Sequence, residues 1–220
     1  METTVITIDG PAGAGKSTVA KKLAHKLGFS YLDTGAMYRA MTLKAMRAGI
    51  DLENVEQLIK LAKKTSIELK GDGSNGLKVF LDGQDVSADI RSLEVTNNTF
   101  YIARTPQIRE IMVEWQRAIG RKENIVVEGR DVGTVVFPQA TRKFFLDANF
   151  DERTQRRFLE LKEKGKDVDK AALKDDLKDR DTKDITRPVG PLKKADDAVL
   201  IDSTRLTVEQ VVEKMLSHIK

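Results

Sequence analysis

Gly10, Gly15, Lys16 and Ser17 stand at the spacing G-x-x-x-x-G-K-[ST], in the stretch "IDGPAGAGKST". Glycines at such positions let backbone N–H groups converge on anionic oxygens, and a following helix N-terminus adds a partial positive charge. The lysine then reaches the terminal phosphates of a nucleotide, and the hydroxyl ligates Mg²⁺. The spacing therefore assigns Gly10, Pro11, Ala12, Gly13, Ala14, Gly15, Lys16, Ser17 and Thr18 to a phosphate-binding loop. Two later stretches place an acidic residue, a glycine and an arginine in that order: "LDTGAMYRA" at 32–40 and "VVEGRDVGT" at 126–134. Arg39 and Arg130 suit a second phosphate-bearing molecule, because the guanidinium fork pairs bidentately with phosphate oxygens. Arg180, Asp184 and Arg187 follow in "DRDTKDITRPVGPL". Asp33 and Glu128 either hold Mg²⁺-bound waters or simply cap their strands.

Such a loop needs a strand before it and a helix after it. "TVITID" is a short apolar run rich in β-branched residues. Val19, Ala20, Leu23, Ala24 and Leu27 then recur at helical spacing until Gly28. Five segments read as buried strands, at 4–9, 29–33, 124–128, 142–147 and 198–202, with helical patterns between them. This predicts an α/β fold of the phosphate-loop NTPase kind, with a five-stranded parallel sheet covered on both faces. Asp9, Asp33, Glu128 and Asp147 end four of these strands and mark the edge where ligands of open α/β sheets bind. Thr34 is expected to cap the second helix, with Gly35 allowing a tight turn. Residues 65–90 read as two alternating strands around the turn at 71–76, a small inserted antiparallel hairpin. Residues 151–184 carry eleven basic and eleven acidic side chains. A segment so charged buries little apolar surface; it suits a solvated helical pair laced with ion pairs, or a lid weakly attached to the core.

The 220 residues suit one domain with insertions. The absence of cysteine excludes disulfides, thiolate metal sites and thiol nucleophiles. The two histidines, His25 and His218, fall in helical patterns and read as solvent-facing, which argues against histidine metal sites and triads. No run is long and apolar enough to span a membrane, and no leader precedes the first strand, so a cytoplasmic protein is expected. With 38 basic and 34 acidic residues and 5% aromatics, the chain offers little for nucleic-acid binding. A guanine-reading N-K-x-D motif is absent as well, which argues against a GTPase switch. A kinase of another small acceptor is the remaining rival.

Across nearly its whole length the sequence resembles bacterial cytidylate kinases, of the adenylate-kinase-like nucleoside monophosphate kinases. "IDGPAGAGKST", "LDTGAMYR", "VEGRDVGTVVFP", "RDTKDITRPVGPL" and "ADDAVLIDST" occur in order and at similar separations. The resemblance implies ATP as phosphoryl donor, Mg²⁺, and CMP or dCMP as acceptor, in a monomer. It divides the chain into a core (1–50, 105–150 and 185–220), a monophosphate-binding insertion at about 51–104 and a helical lid at about 151–184. It implies that Thr34, Arg109, Asp131 and Arg187 hold cytosine, with Tyr38 beside them. Arg39 and Arg130 would hold the acceptor phosphate, and Arg180 and Asp184 the ribose. Arg153, Arg156, Arg157 and Arg180 would join Lys16 around the transferred group. Phe100 stands where some relatives carry a small polar residue near the sugar. Chemistry agrees on the base: cytosine offers an amine donor beside a ring acceptor, which a carboxylate and an arginine can read together. Arg109 could otherwise be a solvated residue of its helix.

Overall fold

Strand β1 (Val5–Asp9) is buried at all five positions, as a central strand of a parallel sheet covered on both faces must be. The computed structural model describes residues 3–71, 77–163 and 165–219. Around β1 lie β2 (Ser30–Asp33), β6 (Ile125–Gly129), β7 (Arg142–Asp147) and β8 (Val199–Asp202), in the order β2-β6-β1-β7-β8 and all parallel. The five strands fall within a residue of the segments expected from sequence. Their register aligns Asp33 with Glu128, Asp9 with Gly129 and Phe145, and Asp147 with Asp202, so the acidic strand ends share one edge.

Side-chain alternation along β1 and β6 feeds two cores. Val5, Ile125 and Val127 face helices α2 (Thr34–Arg47) and α5 (Pro106–Gly120) through Met37, Met41, Ile108 and Met112. Ile6, Ile8 and Val126 face the other way, toward α1 (Lys16–Leu27) and α8 (Val208–Ser217), through Val19, Leu23, Val211 and Met215. Helix α1 stops at Gly28, a left-handed cap with φ 66°, where the sequence predicts it.

Between α2 and α5 the chain forms α3 (Val55–Ala62), strands β3 (Ile67–Gly71), β4 (Leu77–Leu81) and β5 (Gln84–Asp85), and α4 (Leu93–Arg104). The expected hairpin is present as β3 and β4, but a short third strand extends it, because the turn after Leu81 folds Gln84–Asp85 back onto β4. The expected hairpin turn falls largely at 72–76, outside the described residues. Val79 and Leu81 pack on Ala36, Ala40 and Leu43 of α2, which ties this small sheet to the helix bearing Arg39. Helices α6 (Phe150–Glu163) and α7 (Lys170–Thr186) fill the charged segment; Leu161, Leu173 and Leu177 are among its few buried apolar residues.

Candidate active site

A cleft of about 1330 Å³ opens at the carboxyl edge of the sheet. That exceeds the 300–1,000 Å³ typical of a site for one small molecule. It is lined by Ala12 to Thr18, by Thr34, Tyr38, Arg39 and the strand-end run Glu128 to Asp131, and by Arg180, Asp184 and Arg187.

The loop is held open by close backbone approaches. A Cβ on Gly10 (φ 153°) would lie 2.0 Å from the Leu146 carbonyl oxygen, so any other residue would force β1 and β7 apart. Lys16 is buried at 6% exposure, and its ammonium donates to the Pro11 carbonyl at 2.7 Å. Burial, and then the Arg130 guanidinium, lower its pKa. Ser17 opens α1 as an exposed residue near Glu128. Glu128 is buried and accepts from the Tyr31 hydroxyl at 2.6 Å; burial and the Asp33 carboxylate raise its pKa.

At the second strand end the cap is Asp33, not Thr34. The Asp33 carboxylate accepts from the Ala36 N–H at 2.8 Å and pairs with Arg39 at 3.0 Å. Thr34 is already helical, and its hydroxyl donates to the Glu128 carbonyl at 2.7 Å, locking two strand ends together. Gly35 is needed for room, not for its dihedral: a Cβ there would stand 3.0 Å from the Arg39 guanidinium and 3.2 Å from Asp33.

The third strand end carries the densest electrostatics. Asp131 is buried, and its two oxygens are clasped by Arg109 on one side and by Arg187, at 3.1 Å, on the other. Burial pushes the Asp131 carboxyl up, against the pull of both arginines. Arg109 also donates to the Ala103 carbonyl and lies over the Tyr38 ring at 5.6 Å. It is a buried member of the cluster, not a solvated helix residue. Burial drives the Tyr38 phenol up to about 12, so it stays neutral. Arg130 pairs with Asp184 at 2.7 Å. Burial would raise the Asp184 pKa, but Arg130 and Arg180 bring it below the ordinary value. Arg180 has no hydrogen bond or ion pair among the described residues; burial and Arg130 lower its pKa to about 10. Arg180 is half-buried, and it lines the cleft together with Arg130.

The family model for cytidylate kinase matches residues 6–220. A cytidylate kinase of Caldanaerobacter subterraneus subsp. tengcongensis is 49% identical over 218 residues, 99% of this chain and 95% of its own. Another, of Alkaliphilus oremlandii, is 44% identical over 220 residues, 100% of this chain and 99% of its own. The chain belongs to the cytidylate kinase family. A solved gluconokinase from Sinorhizobium meliloti 1021 aligns over 99% of this chain and 91% of its own with TM-score 0.52 at 13% identity, a likeness of fold that fits the phosphate-loop kinase architecture.

Within this chain, the three arginines of α6 are differently placed. Arg153 is buried, and its guanidinium donates to the carbonyls of Ala148 and Ala12 and pairs with Asp181 at 2.6 Å. It ties the phosphate loop to α6 and α7 and is absent from the cleft wall. Arg156 donates to the Ser203 hydroxyl and carbonyl and pairs with Glu152. Arg157 pairs with Glu160, and both arginines line the cleft. Phe100 lines it too, with the Lys183 ammonium of α7 5.6 Å from its ring centre. His25 and His218 are exposed, as expected.

Sequence reasoning passed over Gly190. At φ 58°, a Cβ there would stand 2.2 Å from an Asp131 oxygen and 2.4 Å from Arg109. The glycine between Pro188 and Pro191 in "RPVGPL" was the available signal. Gly190→Ala should displace the Asp131 cluster and weaken acceptor binding about tenfold or more while leaving ATP binding within twofold. Isothermal titration with each nucleotide separately checks this, and equal losses for both would refute it.

Proposed function

We propose that the chain transfers the γ-phosphoryl group of ATP to CMP, with dCMP as a second acceptor. The observation that carries this is the Asp131 carboxylate, buried between Arg109 and Arg187 in the wall of the cleft that the phosphate loop also lines. Each carboxylate oxygen has two lone pairs, so Asp131 can hold its arginines and still accept from the cytosine amine. The arginines donate to the acceptors on the ring edge. Thr34 and Tyr38 complete the base pocket, Arg39 and Arg130 hold the acceptor phosphate, and Asp184 with Arg180 takes the ribose.

The ATP phosphates lie along Gly10 to Thr18. A phosphate monoester is already an anionic nucleophile, so positioning and charge neutralisation do most of the work, and no strong base is required. Lys16, Arg180, Arg156 and Arg157 stabilise the charge that spreads over the transferred group. Arg153 acts from behind the loop, through Ala12. Mg²⁺ fits the donor set, which has the Ser17 hydroxyl beside the Glu128 and Asp33 carboxylates. No cluster of three or more metal-binding side chains occurs among the described residues, so the ion would arrive with ATP, held by its phosphates, Ser17 and water. Held by Ser17 in that way, the ion would supply positive charge to the phosphates of the donor. The test is a coupled assay offering ATP with each monophosphate in turn: CMP should be the best acceptor, and AMP used as well as CMP would refute the reading.

The remaining proposals are coarser. The helical pair 151–184 works as a lid, and 51–104 as the acceptor-side insertion on the core. The chain works as a monomer. No helix is long and apolar enough to cross a membrane among the described residues; a cytoplasmic enzyme that acts on small nucleotides and not on nucleic acid remains the reading. Because Arg153 and Arg156 anchor the first turns of α6, and Arg153 and Arg130 hold Asp181 and Asp184 in the last turns of α7, the mobile part of the lid should be the far end of α6 and the start of α7. Hydrogen exchange should show amides at the start of α7 protected when a bisubstrate mimic is bound and labile without it. Equal protection in both states would make the pair static.

A further inference from the structure

Asp9 ends the central strand immediately before the phosphate loop and is 4% exposed. One carboxylate oxygen accepts from the Val132 N–H at 2.8 Å and the other from the Gly133 N–H at 2.7 Å. These donors directly follow Arg130 and Asp131, in the turn that leaves β6. On its other side Asp9 continues into Gly10, which is wedged against the Leu146 carbonyl. One side chain thus bridges the segment that cradles the donor and the segment that carries two proposed acceptor ligands.

The bridge is made in a costly way. Burial raises the Asp9 carboxyl to about 6, even though both N–H groups favour the ionised form. The groups facing it do little to offset this: Asp131 on the turn repels it and Lys16 on α1 attracts it. Lys143 on β7 lies beside Gly133 but is engaged with Asp197. A neutral asparagine would be cheaper to bury, yet its single carbonyl would serve one of two donors aimed at two different oxygens. Two bonds from adjacent N–H groups fix the orientation of the turn as well as its distance. The turn needs such fixing, because Asp131 sits at φ −140°, ψ 25°, outside regular structure. Gly133 adds to the constraint, since a Cβ there would stand 2.9 Å from the Thr7 hydroxyl and 3.2 Å from Asp9.

We propose that Asp9 is a positioning residue that holds the acceptor turn, Gly129–Gly133, in register with the phosphate loop, so that Arg130 and Asp131 face the donor in the productive geometry. This rests on the proposed transfer from ATP to CMP. Asp9 is not among the residues that line the cleft, and both its bonds go to the acceptor turn, so losing one of them should act on the acceptor side. Asp9→Asn is expected to raise KM for CMP about tenfold, the scale of one charge-assisted hydrogen bond. It should also narrow the preference for CMP over UMP, while the Kd of ATP stays within twofold. A merely structural role would lower stability and leave this split absent. If the Asn variant does not fold, exchanging the Val132 amide for an ester removes one donor, keeps the carboxylate, and should give the same split. Unchanged KM for CMP in the folded variant, or parallel loss of CMP and ATP affinity, overturns the proposal. Failure of the wild-type protein to phosphorylate CMP would overturn the underlying activity; a wild type active on CMP beside an unaffected variant would overturn the role of Asp9 alone.

Discussion

Lys16→Ala should abolish measurable transfer, lowering kcat/KM by about 10³-fold or more, while the protein stays folded. The loss follows from position. In the cleft the Lys16 ammonium is the cation of the loop itself, and removing one preorganised donor to developing charge typically costs 10²–10³ in rate. Stability should not fall with activity. Without nucleotide, this ammonium is buried, and burial and then the Arg130 guanidinium lower its pKa, against the pull of the Glu128 carboxylate. Its one hydrogen bond among the described residues is the buried one to the Pro11 carbonyl, within the loop itself. Deleting it relieves a desolvated charge, so thermal unfolding should be unchanged or slightly later. The lowered pKa adds a second readout. A folded-state value below that of free lysine means that the unliganded site releases its proton at less alkaline pH, and bound phosphates reverse this. ATP binding to the wild type should therefore take up protons in alkaline buffers, and binding to the Ala variant should lose that uptake. Calorimetry in buffers of different ionisation enthalpy measures it. Activity within about tenfold of wild type would remove Lys16 from the mechanism.

What could be read from the chain beforehand divides along physical lines. The five strands and the phosphate loop were legible because each is a local signal: an apolar β-branched run, a glycine spacing, a helical period ended by Gly28. The acidic strand ends were legible as positions but not as roles. Whether Asp33 or Thr34 caps α2 depends on which side chain turns inward, and Thr34 is drawn to the Glu128 carbonyl, which is 94 residues away. The third strand of the small sheet escaped notice because Gln84–Asp85 is two exposed polar residues with no pattern of their own. Among the arginines, sequence gives charge and approximate place only. Arg153 and Arg156 differ by three positions on one helix, yet one turns into the interior against Ala12 and the other lines the cleft. Gly190 and Asp9 have local marks, flanking prolines for one and a strand end for the other, but what each touches lies across the fold and is not written in the neighbouring residues.

Asp131→Asn should be the most informative change on the acceptor side, and its effects on stability and selectivity can be separated. The substitution keeps shape but leaves the Arg109 and Arg187 guanidiniums without their counter-charge in a buried place. Breaking a buried pair by removing one partner costs about 3–5 kcal/mol. Remaining bonds to the Ala103 and Gly190 carbonyls hold the two arginines near their positions and reduce the loss. Thermal unfolding should come several degrees earlier, with the fold intact at 25 °C. Selectivity follows from donor and acceptor sense. CMP presents an amine where UMP presents a carbonyl oxygen, which the wild-type carboxylate repels. Sites that read substrate by hydrogen bonds can reject an analogue lacking the partner group by about 10⁴-fold. Neutralising Asp131 removes both the attraction and the repulsion. kcat/KM for CMP should fall by two orders of magnitude or so, UMP should fall much less, and KM for ATP should hardly move. The stability loss acts equally on every substrate, so the ratio between CMP and UMP is the quantity to measure, at a temperature well below unfolding. An equal decline on both pyrimidines would mean that the buried carboxylate is a structural counter-ion for its arginines, and the base would have to be read elsewhere in the cleft.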